Sequence, residues 1–166
     1  MHHHNNIILI GMPGAGKSTV GVILAKTLGM QFIDTDILIQ ERAGRMLQEI
    51  LDTDGPDAFK RIEEETILSL HPCRAVIATG GSVVCSGAAM AHLKSAGVVV
   101  YLEVSYEEMH RRLGNITTRG ILLLPGQGLR GMYDERVPLY ERYADLTIAC
   151  SGEDLESVVG NVIEAL

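Results

Sequence analysis

A chain of 166 residues is long enough for one domain that buries most of its unfolded surface, so its core needs neither disulfides nor a structural metal. Its 46% hydrophobic and 21% charged residues exclude a disordered chain. A net charge of −7 with no basic block excludes nucleic acid and anionic membrane as partners on bulk electrostatics, while a local basic pocket for a small anion stays open.

In chain order, residues 7–10 form a short, wholly apolar run, as a parallel strand buried on both faces requires. A glycine loop, 11–16, follows. From Lys17 the apolar positions Val20, Ile23, Leu24 and Leu28 share one helical stripe, which Gly29 is placed to end. Gln31-Phe32-Ile33 is a second strand, ending at Asp34-Thr35-Asp36. Residues 37–51 read as two short helices broken near Gly44. Asp54-Gly55-Pro56 opens another helix to about Leu70, with Asp54 as its expected cap and Pro56 near its first position.

Residues 75–78 make the third strand, closed by Thr79-Gly80-Gly81-Ser82. A small-residue helix (87–95), the fourth strand (97–104) and a helix (107–113) come next. Residues 114–131 are irregular and glycine-rich, and such a stretch inside a compact domain reads as a lid. A helix (132–144), a fifth strand (146–149) and a terminal helix (153–165) complete the chain. Five short strands alternating with helices predict an α/β fold with a doubly wound five-stranded parallel sheet in one domain spanning 1–166.

No apolar run approaches the roughly 20 residues of a bilayer span. The run 7–10 is strand length and leads straight into the glycine loop, so no signal peptide is expected. Cys73, Cys85 and Cys150 are odd in number and far apart, without a CxxC pair, which suits reduced thiols in a cytoplasmic protein. His2-His3-His4 reads as a tag remnant or a native flexible N-terminus.

Gly11-Met12-Pro13-Gly14-Ala15-Gly16-Lys17-Ser18 fits G-x-x-x-x-G-K-[ST] at every defined position, after a buried strand and at the start of a helix. Backbone N–H groups of Gly14, Ala15 and Gly16 are placed to close around phosphate oxygens, helped by the positive end of the helix; Thr19 continues this wall. Lys17 is expected at the β/γ-phosphates and Ser18 at Mg²⁺. The chain therefore binds a nucleoside triphosphate, with ATP the prior choice. The third strand ends in Thr79 and carries no metal-binding aspartate, so a carboxylate from elsewhere must help, and Asp34 is the candidate.

The 11–18 loop, Asp34-x-Asp36, Phe59-Lys60-Arg61-Ile62-Glu63-Glu64, Gly80-Gly81, Arg119 and Arg136-x-Pro138-Leu139-Tyr140 together resemble the shikimate kinase family, in order and nearly in spacing along the whole chain. The resemblance implies an adenylate-kinase-like fold (a P-loop NTPase of the nucleoside-monophosphate-kinase type) with a mobile lid. It implies ATP, Mg²⁺, and transfer of the γ-phosphoryl group to a hydroxyl of a small cyclic hydroxy acid, most directly shikimate to shikimate 3-phosphate. Asp36 would hold and orient or deprotonate the acceptor hydroxyl, and Asp34 would organise Mg²⁺ with Ser18. Gly80 and Gly81 would present backbone N–H groups to the acceptor, and Arg136 would clamp its carboxylate, with Lys60 as a second cation. Arg119 in the lid would neutralise the transferring phosphoryl group, and Arg112 would cover the adenine. A cytoplasmic monomer with a small-molecule partner is implied.

Three positions depart from the family pattern, and all lie on the acceptor side. Lys60 stands where the family has arginine, which keeps the charge but loses the bidentate fork. Ser82 replaces the third glycine of a triple. Gly120 replaces a lid proline, which should loosen the segment. A same-fold kinase for a gluconate- or homoserine-like acceptor, or a nucleotide-binding regulatory module without transfer, are the alternatives. Residue by residue, Asp36 could cap a helix starting at Ile37, Lys60 could pair with Glu64 and Arg61 with Glu65, and Arg136 could form a surface pair with Asp134, Glu135 or Glu141.

Overall fold

The computed structural model describes residues 6–114 and 120–166, so Arg119 and His2-His3-His4 lie outside the described residues. Five strands, β1 (Asn6–Ile10), β2 (Gln31–Asp34), β3 (Ala75–Ala78), β4 (Gly97–Glu103) and β5 (Leu146–Ala149), form one sheet in the order β2-β3-β1-β4-β5. Every pairing is parallel. β1 lies at the centre, with Ile8 beside Ile77 on one side and Val99 on the other, which is why residues 7–10 are apolar on both faces. The chain leaves β1 toward β2 on one side and later crosses to β4 on the other. Reversal at β1 opens a crevice at the carboxyl ends of the strands, where open α/β sheets bind ligands.

Helices α1 (Lys17–Leu28), α2 (Thr35–Ala43), α3 (Leu47–Leu68), α4 (Gly87–Ala96), α5 (Tyr106–Leu113), α6 (Leu129–Tyr143) and α7 (Leu155–Ala165) surround the sheet. The main core is built on β1, β3 and β4. A separate small cluster, Ile39, Leu47, Ile50, Phe59 and Leu122, joins α2, α3 and the segment after Gly120 into a wall over the crevice.

Three expected boundaries move. Asp54 caps nothing: it pairs with the exposed Arg45, Nη1 donating to Oδ1 at 3.2 Å, and α3 continues across this point. Gly55, at φ 86° and ψ 174°, kinks α3, and Pro56 opens the second half, where its missing N–H is not needed. Helix α2 begins at Thr35, two residues before Ile37. The expected lid shortens because α6 already begins at Leu129, and Arg130 in its first turn pairs with Asp134 at 3.2 Å.

Candidate active site

The turn between β1 and α1 is shaped by its glycines. Gly14 (φ 79°) and Gly16 (φ 95°) take left-handed backbone that L side chains rarely adopt, which lets α1 start abruptly with its N–H groups facing outward. Ala15 is buried behind the loop and donates its N–H to Met12 O at 3.1 Å. Lys17 is 7% exposed, and its Nζ folds back along the loop to Gly11 O at 2.6 Å and Met12 O at 2.8 Å. Ser18 and Thr19 open onto the cavity below. Arg112 on α5 reaches across to this loop, its Nη1 donating to Gly14 O at 3.0 Å and its Nε to Glu108 at 2.8 Å.

At the end of β2, Asp34 serves two elements at once. Its Oδ1 accepts the N–H groups of Asp36 (3.0 Å) and Ile37 (3.4 Å), which caps α2, while its Oδ2 accepts the Ser18 hydroxyl at 2.7 Å. The capping role weighed for Asp36 therefore belongs to Asp34. Asp36 instead lies in the first turn of α2 and lines the cavity.

That cavity encloses about 330 Å³ between the phosphate loop and the small cluster of α2 and α3, within the range of small-molecule sites. Gly80 and Gly81 form its floor. A Cβ on Gly81 would meet Pro13 Cδ at 2.8 Å, so only glycine lets the turn after β3 lie this close to the phosphate loop. Tyr140 donates its hydroxyl to Gly81 O and stacks on Tyr101 of β4 with centroids 5.1 Å apart, which pins α6 to this floor. Arg136, one turn before Tyr140, is thereby carried inside. It is 4% exposed, lines the cavity, and donates to Leu122 O at 2.5 Å, so the surface pair weighed for it is not formed.

Lys60 is half-buried and does not line the cavity. Its charge reaches Cys85, whose thiol is pushed up by burial and drawn back by both Arg136 and Lys60. Neither Lys60 with Glu64 nor Arg61 with Glu65 forms an ion pair among the described residues, and Glu64 accepts the Ser86 hydroxyl instead. Gly120 packs closely against α3 at Leu47. A Cβ there would run into the Leu47 side chain and sit 3.0 Å from its carbonyl carbon, so glycine permits a close approach.

Sequence reasoning gave no role to Glu63, although it stands four residues after Phe59 and so on the same face of α3. It lines the cavity at 3% exposure. Ser82 donates its hydroxyl to Glu63 Oε1 at 2.7 Å, and Oε2 has no hydrogen-bond partner. Burial pushes the carboxyl up to about 7, Asp36 adds to this, and Ser82, Arg136 and Lys17 pull against it.

No group of three or more His, Cys, Asp and Glu gathers as a metal cluster among the described residues. Ser18 and Asp34 nevertheless offer a hydroxyl and a carboxylate oxygen beside the phosphate loop. That hard-oxygen set suits Mg²⁺, which takes one or two protein ligands and completes its shell with phosphates and water.

A phosphate loop at the switch point of a 2-3-1-4-5 parallel sheet, opening on a small enclosed cavity with a carboxylate and a buried arginine, defines a P-loop kinase of small molecules. Residues 13–166 match the family model for shikimate kinase. The chain is 41% identical over 162 residues to the shikimate kinase of Mycobacterium avium (strain 104), covering 96% of this chain and 92% of that one. It is 38% identical over 166 residues to the shikimate kinase of Synechococcus sp. (strain RCC307), covering 97% and 84%. The solved shikimate kinase from Acinetobacter baumannii in complex with shikimate superposes with a TM-score of 0.88 at 31% identity, covering 97% and 92%. A gluconokinase from Sinorhizobium meliloti 1021, at 19% identity and a TM-score of 0.55, shares the fold alone. The chain belongs to the shikimate kinase family.

Proposed function

We propose that this protein transfers the γ-phosphoryl group of ATP to the 3-hydroxyl of shikimate, using the cavity between the phosphate loop and α3. The observation that carries this reading is that Lys17, Asp36 and Arg136 line one cavity. The N–H groups of Gly14, Gly16, Lys17 and Ser18 hold the phosphate tail, Lys17 turns from its carbonyl partners to the β/γ-oxygens, and Arg112 covers the nucleotide from α5. Asp36 accepts the hydrogen of the acceptor hydroxyl and aims that oxygen at the γ-phosphorus. With a loose transition state, this orientation carries most of its contribution. Arg136 clamps the acceptor carboxylate with Lys60 beside it, and the N–H groups of Gly80 and Gly81 fix the ring from the floor.

Ser18 and Asp34 would hold Mg²⁺, which would supply charge neutralisation for the phosphate tail. Arg119 would add positive charge at the transferring phosphoryl group. Every role falls on one chain, so the transfer needs no residue from a second copy. The test is ADP release with ATP and Mg²⁺ on shikimate, gluconate and homoserine side by side. Stimulation by shikimate alone is expected, and turnover on gluconate or homoserine with silence on shikimate would move the substrate.

A further inference from the structure

Helix α3 starts at a residue poorly suited to start it. Its N-cap is Met46, whose side chain carries no hydroxyl or carboxylate, so the first N–H groups need acceptors from elsewhere. Glu49 reaches back to the Met46 N–H at 2.9 Å, and the Leu47 N–H goes to Gln40 Oε1 at 3.2 Å. Of these two acceptors, Glu49 belongs to α3 itself and Gln40 to α2. Gln40 thus ties the start of α3 to the helix that carries Asp36. It stands four residues after Asp36, on the same face of α2, and both line the cavity.

Leu47, the residue held in this way, is a corner of the acceptor end. It packs in the cluster of Ile39, Ile50, Phe59 and Leu122 and lines the cavity as well. Gly120 lies against it so closely that a Cβ there would sit 3.0 Å from the Leu47 carbonyl carbon. Two residues further on, Leu122 O accepts Arg136 Nη2 at 2.5 Å. A continuous path of contacts therefore runs from Asp36 through Gln40, Leu47 and residues 120–122 to Arg136.

We propose that Gln40 is a positioning residue for the acceptor: by accepting the Leu47 N–H, it fixes the spacing of Asp36 and Arg136 across the cavity. This rests on the shikimate reading and deepens it, since those two groups hold the hydroxyl and the carboxylate of one small molecule. Such a hold weakens when either end shifts by a fraction of an ångström, so the tie between α2 and α3 acts on acceptor binding and leaves the phosphate loop alone. The tie also orients the amide, because a backbone N–H selects Oε1 and leaves Nε2 as the other end. Gln40 acts through its oxygen, by way of Leu47, without touching the acceptor.

The experiment measures steady-state kinetics on shikimate and ATP, with melting temperatures, for the unaltered protein and for Gln40→Met, Gln40→Asn and Gln40→Glu. Met keeps the length and loses the oxygen, Asn keeps the amide one methylene too short, and Glu keeps an oxygen for Leu47 while giving up the Nε2 donor. Gln40→Met and Gln40→Asn should raise the acceptor KM about fivefold or more and leave the KM for ATP within about twofold. Gln40→Glu should bring the acceptor KM back near that of the unaltered protein. Hydrogen exchange at the Leu47 amide should quicken in Gln40→Asn and not in Gln40→Glu. An unchanged acceptor KM in a folded Gln40→Met or Gln40→Asn would reduce Gln40 to a brace between helices and overturn the proposal alone. A loss in Gln40→Glu equal to that in Gln40→Met would show Nε2 acting on the acceptor directly, and would overturn it too. Absence of any shikimate-dependent turnover in the unaltered protein would overturn the shikimate reading and this proposal together.

Discussion

The Ser18 hydroxyl donates to Asp34 Oδ2 at 2.7 Å while Asp34 Oδ1 caps α2. One carboxylate thus ties the phosphate loop to the helix that carries Asp36, so the nucleotide and acceptor halves of the site share a fixed spacing. Separating the two duties of Asp34 gives the first prediction. Asp34→Ser keeps a good cap and should recover most of the roughly 1 kcal/mol that Asp34→Ala loses. Both variants should need far more Mg²⁺ for half-maximal turnover. Melting curves and Mg²⁺ titrations of ADP release check this, and a normal Mg²⁺ requirement in Asp34→Ser would remove Asp34 from the metal site.

Lys60 lies outside the cavity wall, and its charge acts on Cys85 together with that of Arg136, so its part is a longer-range one. Lys60→Ala should raise the acceptor KM several-fold more than the KM for ATP. Lys60→Arg should lower it, since a guanidinium can fork onto a carboxylate where an ammonium cannot. Steady-state kinetics on both substrates decides, and an unchanged acceptor KM in Lys60→Ala would leave a helix-surface lysine.

Glu63 also sets a pH dependence of stability. Its ordinary value is 4.5 and the folded protein raises it to about 7, so the folded state holds a proton that the unfolded chain releases. Folding is therefore favoured below pH 4.5 by this group and loses that contribution as pH rises toward 7, by up to about 3 kcal/mol. The ligand-free protein should melt lower at pH 8 than at pH 5.5 by more than Glu63→Gln does. Parallel curves for the two proteins would contradict the burial of an ionisable Glu63.

Gly120 tests how the closing segment meets α3. A Cβ at this position meets main chain of Leu47, which has little room to give. Gly120→Ala should cost about 1–3 kcal/mol of stability and raise the acceptor KM, with the KM for ATP nearly unchanged. Thermal melts and two-substrate kinetics check it, and an indifferent variant would show the segment riding free of α3.

Much of this is legible in the sequence. The apolar run at 7–10, the phosphate loop and Asp34-x-Asp36 follow from local chemistry, because buried parallel strands and left-handed glycines leave sequence marks. Asp54 misled because an aspartate two residues before a proline suits a cap equally well, and its pairing with Arg45 depends on how α2 and α3 fold together. Glu63 and Ser82 were opaque for a similar reason. Nothing in a helix heptad or a glycine turn says that the two meet at 2.7 Å, or that one carboxylate oxygen then faces a cavity. The close seat of Gly120 on Leu47 is likewise a tertiary contact, invisible in a comparison of glycine with proline.

The most direct test is ADP release at saturating ATP and Mg²⁺, with and without shikimate, for the unaltered protein and Asp36→Ala together with their ATP affinities. Strong stimulation by shikimate in the unaltered protein is expected, with turnover in Asp36→Ala reduced at least about a hundredfold and ATP affinity kept. Shikimate-independent ADP release in the unaltered protein, or near-normal shikimate turnover in Asp36→Ala, would contradict a transfer organised around Asp36 in this cavity.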